Sequence, residues 1–345
     1  MLYIDGSMHS GSGTLLRYAA ALATLTGKPL HMLNIRAKRG KPGLRPQHLM
    51  ALRACSALCS GRLDGDRVGS QEITYRPGRK VNGGNFEWDI GTAGSSTMLA
   101  FTLISPALYA KSTCRFTITG GLFQDFAPTA FHMREVLLPM LCNMGADVEI
   151  RILRPGYVPK GNGCLQMTVR PLQNGMTALK MKEQGKVKEI RGIALSSHLE
   201  KEKVSERMAD RCREILTQNG YKTRIEIQND HTAVQRGAAL ALWAKTDTGC
   251  IMGSDQAGKR GRRSEAIANF VCRSLLEDLN SGATTDRHLA DQLILFAALA
   301  KGKTEYSIPL VTEHVQSNLW LVEEILGARS KLDGNNLAIA GTGFC

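Results

Sequence analysis

The order of secondary-structure signals recurs along this chain, and that recurrence restricts its fold more than any single motif does. Helix, strand, helix, strand, strand is legible three times over. In the first copy Thr14–Thr26 is apolar at Leu15, Leu16, Ala19, Leu22 and Leu25, one helical face, and Gly27 ends it. Leu30–Ile35 reads as a strand, Gln47–Ser60 as a helix stopped by Gly61, and Glu72–Tyr75 and Phe86–Ile90 as strands. The second copy has helix Ser95–Leu108, strand Cys114–Thr119, helix Thr129–Asn143, then strands Val148–Leu153 and Cys164–Val169. The third has helix Asp286–Ala300, a short strand Glu305–Ile308, helix Val315–Leu326 and two strands at Leu332 and Leu337–Ala340. The turn signal Asp333-Gly334-Asn335-Asn336 separates those last two.

Residues 185–279 break the order. They read as strand Val187–Ala194, charged helix Glu200–Thr217, strands Thr223–Ile227 and Ala238–Trp243, and helix Arg263–Leu279. The expectation is an α/β (α+β) protein built on three βαβαββ-type units. Residues 1–184 and 280–345 would form a large discontinuous domain, with 185–279 a smaller inserted one.

A chain of 345 residues suits two domains, and 43% hydrophobic with 22% charged residues is a globular mix. No run approaches the ~20 apolar residues of a membrane helix. The start Met1-Leu-Tyr-Ile-Asp5-Gly6 shows no secretory signal. Nine cysteines without a CxxC pair lack zinc spacing and suit reduced thiols, so a cytoplasmic protein is expected. The net charge of +13 favours a polyanionic partner such as nucleic acid. Two basic runs carry much of it, Arg36-Ala-Lys38-Arg39-Gly-Lys41 and Lys259-Arg260-Gly-Arg262-Arg263. Each reads equally as a phosphate-binding surface or as a solvated loop.

Chemistry would concentrate on the loops. Those entering the first helices, Asp5–Thr14 and Gly91–Thr97, are small and glycine-rich, which suits either a phosphate cradle or a tight packing turn. No GK[ST] closes the first, so it is not a P-loop. Those entering the second helices are the basic run through Pro46-Gln47-His48, then Gly120-Gly121-Leu-Phe-Gln124-Asp125-Phe126-Ala-Pro128, then Val311-Thr312-Glu313-His314.

At these residues the sequence resembles the RNA 3′-terminal phosphate cyclase family. The resemblance is carried by Ile4-Asp5-Gly6-Ser7 through Gly11, Gly13, Leu16 and Arg17, and by Ile35-Arg36-Ala37, Arg39, Lys41-Pro42-Gly43-Leu44 and Gln47-His48-Leu49. Gly69-Ser70-Gln71, Ala93-Gly94-Ser95, Gly120-Gly121, Ala127-Pro128, Leu289-Ala290-Asp291-Gln292-Leu293, Glu313-His314 and Asn318 extend it. It implies a fold of three such units plus an inserted domain, and an ATP-dependent reaction on an RNA 3′-phosphate. A histidine attacks the ATP α-phosphate, AMP passes to the RNA phosphate, and the neighbouring 2′-OH closes a 2′,3′-cyclic phosphate. The nucleophile falls on His314. Nucleotide and phosphate contacts fall on Arg17, Arg39, Lys41, Gln47, Pro128, Asp291 and Gln292, and the carboxylate for Mg²⁺ or Mn²⁺ on Asp291. A neutral imidazole is a competent nucleophile at pH 7, and arginines suit phosphate oxygens.

The chain departs from the family pattern in places. A metal-associated glutamate is Ser10, the preceding glycine is His9, and a glutamine at the nucleotide site is Phe101. The acidic or amide pair after Gly120-Gly121 is Leu122 and Phe123, and a glycine-rich signature reads Pro155-Gly156-Tyr157-Val158-Pro159-Lys160-Gly161-Asn162-Gly163. These departures bear on ATP use and rate. They keep open a second expectation, a non-cyclising relative that binds RNA or assists ribosome assembly.

Overall fold

The computed structural model describes residues 1–78 and 80–345. Each copy gains a strand ahead of its first helix, so the unit is βαβαββ. The first comprises β1 (Leu2–Asp5), α1 (Gly13–Thr26), β2 (Leu30–Leu33), α2 (Pro46–Cys59), β3 (Arg62–Asp64) and β4 (Ile73–Arg76). Its sheet runs β1-β2-β4-β3, with β1 parallel to β2 and the other pairs antiparallel. The second comprises β5 (Gly84–Asp89), α3 (Ser96–Leu108), β6 (Cys114–Gly120), α4 (Ala130–His132), a π-helical turn over Met133–Leu137, α5 (Leu138–Asn143), β7 (Asp147–Arg154) and β8 (Gly163–Arg170). Its sheet repeats the order, β5-β6-β8-β7, and the strand directions. The strand expected near Phe86–Ile90 therefore opens the second unit and does not close the first. Periodicity identifies a strand but not its partner, and the true penultimate strand, β3, is too short to alternate legibly.

The inserted segment forms β9 (Val187–Ser197), α6 (Val204–Gln218), β10 (Thr223–Asp230), β11 (Gly237–Thr246), β12 (Ile251–Ala257) and α7 (Ser264–Asn280), with sheet order β10-β9-β11-β12. Its sheet is covered on both faces. Ala238, Leu240, Leu242 and Ala244 join the core under α6 and α7, while Ala239, Ala241 and Trp243 join the core of the three-unit body. Two-sided burial explains why β11 is continuously apolar where a half-exposed strand would alternate.

The third unit follows with α8 (Leu289–Leu299), β13 (Lys301–Ser307), α9 (Glu313–Leu326), β14 (Arg329–Asp333) and β15 (Asn336–Thr342), in sheet order β13-β15-β14. Its opening strand lies far upstream: Thr177 and Lys180 pair in parallel with Lys301 and Glu305, as β1 pairs with β2. α1, α3 and α8 are buried nearly all round and pack centrally, which their almost unbroken apolar and small residues permit. Caps set where the helices begin. Ser12, Ser95 and Thr312 accept hydrogen bonds from Thr14 N, Met98 N and Val315 N, and Gly27 and Gly327 close α1 and α9 in left-handed conformation. No helix among the described residues is long and apolar enough to cross a membrane.

Asp286 sits where three parts of the chain meet. Its carboxylate is fully buried and pairs with His132 Nε2 at 3.1 Å. It also accepts from Gly253 N at 2.8 Å and from His288 N and Leu289 N at 2.8 Å each. It thereby ties α4 and β12 to the start of α8. Removing one member of a buried pair strands the other, so Asp286→Ala is expected to cost about 3–5 kcal/mol, read as a fall in the urea midpoint.

Candidate active site

The loops singled out in the sequence converge at the starts of the helices. Asp5 fixes the first: its Oδ1 accepts from Ser7 N at 2.8 Å, from the Ser7 hydroxyl at 2.7 Å and from Asn34 Nδ2 at 3.2 Å. Lys38 Nζ donates to the His9 carbonyl at 3.1 Å, joining the glycine-rich loop to the basic one. Gly13 is required by a close approach, because a Cβ there would lie 2.1 Å from His48 Nε2. His48 Nδ1 in turn accepts from Arg45 N at 3.3 Å. Burial, with Arg17, Arg36 and Arg45 nearby, pushes the His48 pKa down to about 2, so its ring is a neutral packing and acceptor group.

The basic run divides by role. Arg36 Nη1 donates to the carbonyls of Lys41 and Gly43 at 2.7 and 2.8 Å and so staples the loop shut. Arg39, Lys41 and Arg45 are exposed, and none has a carboxylate within 4 Å among the described residues. Arg17 is 8% exposed, donates to Thr14 Oγ1 at 3.3 Å, and leaves Nε buried with no partner among the described residues. Burial lowers its pKa to about 10, so it remains a cation at neutral pH.

His314 lies in the first turn of α9. Its Nδ1 is buried without a protein partner among the described residues. Burial, then the fields of Arg17 and Arg39, hold its pKa below the usual 6.5. The ring is therefore neutral at pH 7 and lies within electrostatic reach of two cations. Asp291, on the first turn of α8, completes the group. Burial and the neighbouring Asp286 raise its carboxyl to about 7, against the opposing pull of Arg17. Its carbonyl is held by Tyr18 OH and Asn318 Nδ2, each at 3.1 Å.

The other expected residues are distributed differently. Gln47 Oε1 accepts from Ser95 N at 2.8 Å, so it bridges the first two units. The Pro128 carbonyl accepts from Thr97 Oγ1 at 2.9 Å. Gln292 is buried, and its Oε1 has no hydrogen-bond partner among the described residues. Lys41 is exposed farther along the basic loop, with no hydrogen bond of its side chain among the described residues. Phe101 does not line the site: it is 1% exposed, with ring centroids 5.6 Å from Tyr18 and 5.7 Å from Phe296. Ser10 does reach α9. Its hydroxyl lies 2.9 Å from that of Ser317 and 3.1 Å from that of Ser12, and Ser317 donates to the Glu313 carbonyl at 2.6 Å. Composition and spacing missed Tyr18, His132, His288 and Asp286. His132 and His288 stack edge to face at 5.7 Å beside the site. The one signal available was Asp286 preceding the apolar run of α8, the place of a helix cap.

Among the described residues no three of His, Cys, Asp and Glu converge as metal ligands. The donor set is Asp291 with a serine hydroxyl already committed to Ser317. It does not fit a resident metal ion, which prefers several anionic oxygens.

A sequence profile of RNA 3′-terminal phosphate cyclase matches residues 8–332. The chain belongs to that family. The RNA 3′-terminal phosphate cyclase of Archaeoglobus fulgidus is 38% identical over 340 residues, covering 98% of this chain and 100% of its own. Those of Methylococcus capsulatus and Pyrococcus furiosus are 36% and 35% identical, covering 100% and 97% of this chain and 95% and 96% of theirs. The mixed α/β architecture expected from the sequence holds in the structure.

The raised Asp291 pKa carries a sign. Between its unfolded value near 3.8 and its folded value of about 7, the native state binds the extra proton, so stability falls as pH rises through that window. Asp291→Asn removes that contribution. Melting curves from pH 4 to pH 8 should show a shallower decline for the variant than for the parent, with the largest gain at pH 8.

Proposed function

We propose that this chain converts an RNA 3′-terminal phosphate to a 2′,3′-cyclic phosphate with ATP, through AMP carried on His314. The observation that supports the reading best is His314 itself. A neutral, half-buried imidazole stands at a helix N-terminus beside Arg17 and Arg39, which is what attack on a polyanion requires. The attacking nitrogen would be Nε2, since Nδ1 faces the interior.

In the first step that nitrogen bonds the ATP α-phosphorus, and the bond to the β-phosphate oxygen breaks to release pyrophosphate. In the second, an oxygen of the RNA 3′-phosphate takes the adenylyl group and the histidine is restored. In the third, the 2′-oxygen attacks the activated 3′-phosphorus, loses its proton, and expels AMP. Arg17, buried and fixed in position, would neutralise charge that develops on the α-phosphate oxygens. Arg39 and Lys41, exposed on a stapled loop, would meet the triphosphate or the RNA phosphate as each arrives. Mg²⁺ or Mn²⁺ would enter with the triphosphate, held by its phosphate oxygens; Glu313 is the carboxylate whose field acts on His314, while Asp291 acts on Arg17.

Ser10 is what favours the second reading, a non-cyclising RNA-binding or ribosome-assembly protein. A hydroxyl supplies no charge to a cation, and this one is occupied by Ser317. The readings separate on one gel. With α-labelled ATP the parent should acquire an acid-labile label, and His314→Ala should acquire none while keeping its circular dichroism spectrum. The parent's labelling rate should be flat above pH 6.5 and fall only in more acid solution, because the imidazole titrates below its ordinary value. No label on the parent would leave the binding reading in place. Ser10→Glu tests the departure directly, with faster labelling at low Mg²⁺ expected if a missing carboxylate limits the rate.

A further inference from the structure

The loop from β6 to α4 carries an aromatic residue that the chemistry above does not use. Phe126 is 107% exposed and holds a φ of +69°. A bulky side chain rarely adopts left-handed backbone, and an aromatic ring is seldom turned wholly to water. Both costs fall on one residue, and such strain persists only where the surroundings impose it.

The surroundings do impose it. Asp125 receives Arg262 through two hydrogen bonds, Nη1 to Oδ1 at 2.8 Å and Nη2 to Oδ2 at 2.9 Å, and Lys259 Nζ lies 3.9 Å away. Thr129 N donates to Asp255 Oδ2 at 2.6 Å, anchoring the loop's far end to β12. On the other side Gly121 N donates to the Gly94 carbonyl at 2.8 Å, next to Ser95, whose N–H is held by Gln47. The ring is thus presented from a loop held on one side by the Lys259–Arg263 run and on the other by Gly94. Lys259, Arg260 and Arg263 are exposed on the inserted segment, and Arg39, Lys41 and Arg45 on the first unit. Of these, only Lys259 has a carboxylate within 4 Å among the described residues.

We propose that Phe126 is a stacking platform for one base of single-stranded RNA, whose phosphates run over Lys259, Arg260 and Arg263 towards the His314 site. The proposal rests on the reading that the RNA 3′ end is bound at His314. An exposed ring on a loop tied to a run that also exposes Arg260 and Arg263, neither with a carboxylate partner among the described residues, suits a strand with splayed bases and a charged backbone. Every base has a π-face, so the contact is sequence-tolerant.

The test uses the full chain and fluorescent 3′-phosphorylated oligoribonucleotides, read by anisotropy. Phe126→Ala should weaken binding about 5- to 150-fold, the range for loss of one base–aromatic stack, and Phe126→Trp should preserve it. Phe126→Gly relieves the left-handed strain. It should melt no lower than the parent yet bind as weakly as the alanine variant, which separates binding from folding. Abasic substitution along the strand should find one sensitive position in the parent and none in Phe126→Ala. Lys259→Ala, Arg260→Ala or Arg263→Ala should each flatten the logarithmic salt dependence by about 0.7. Equal affinity of the parent and both small variants overturns the proposal. So does a fall in affinity that leaves the abasic profile unchanged, which would mean generic attraction or a protein-facing role for the ring. Labelling of the parent by ATP needs no RNA and reports separately on the reading that His314 carries AMP.

Discussion

Asp286 is fully buried, and the chain around it supplies the partners its carboxylate needs. Those partners come from three places: His132 from the second unit, Gly253 N from the inserted sheet, and two backbone N–H groups from the start of α8. Burial alone would raise the carboxyl, yet His132 and the donated hydrogen bonds bring it down to about 2. The same field lifts His132 above 6.5 despite its own burial. An ionised Asp286 then disfavours charge on Asp291, in the first turn of α8. The docking of the inserted segment and the protonation of the site are therefore set by one group.

The site is assembled from equivalent places in non-equivalent units. His48, His132 and His314 all lie in the first turn of a unit's second helix, and each unit uses its histidine differently. His48 is neutral and accepts a backbone N–H, His132 pairs with a buried carboxylate, and His314 keeps its ring nitrogens free of protein partners among the described residues. The differences come from the neighbours: three arginines around His48, Asp286 beside His132, and two cations near His314 at a helix start. Position in a repeat selects the residue that can act, and its surroundings decide whether it does.

Most of the architecture was legible because the helices are long and apolar; Gly27 closes α1 as expected, while the expected stop at Gly61 falls one residue earlier, on Ser60 in left-handed conformation. What the sequence concealed was pairing. β12 reads Ile251-Met-Gly-Ser-Asp-Gln-Ala, with neither alternation nor a β-branched run, and is a strand because β11 pairs beside it. The opening strand of the third unit is separated from its helix by the whole insertion. At the site, His314, Arg17, Arg39 and Asp291 were legible as residues, but their protonation was not, since burial and through-space fields have no local sequence signature. Phe101 shows the opposite limit. A position taken from a family pattern as part of the nucleotide site is here filled by an aromatic packed between Tyr18 and Phe296.

The pairing of Thr177 with Lys301 has a consequence for how the chain is made. In the first unit the corresponding pair is Leu2 with Leu30, so its parallel strands meet after a short crossover. The third unit's opening strand leaves the ribosome with no partner and must wait while the inserted segment is synthesised. That segment has its own buried cluster and can collapse first. Closing a loop about four times longer adds only about 1.2 kcal/mol of chain entropy, so the equilibrium is barely affected. Timing is affected far more. The third sheet cannot be completed until the insertion has been synthesised, and because α9 belongs to the third unit, His314 can reach its cations only after most of the chain has been made.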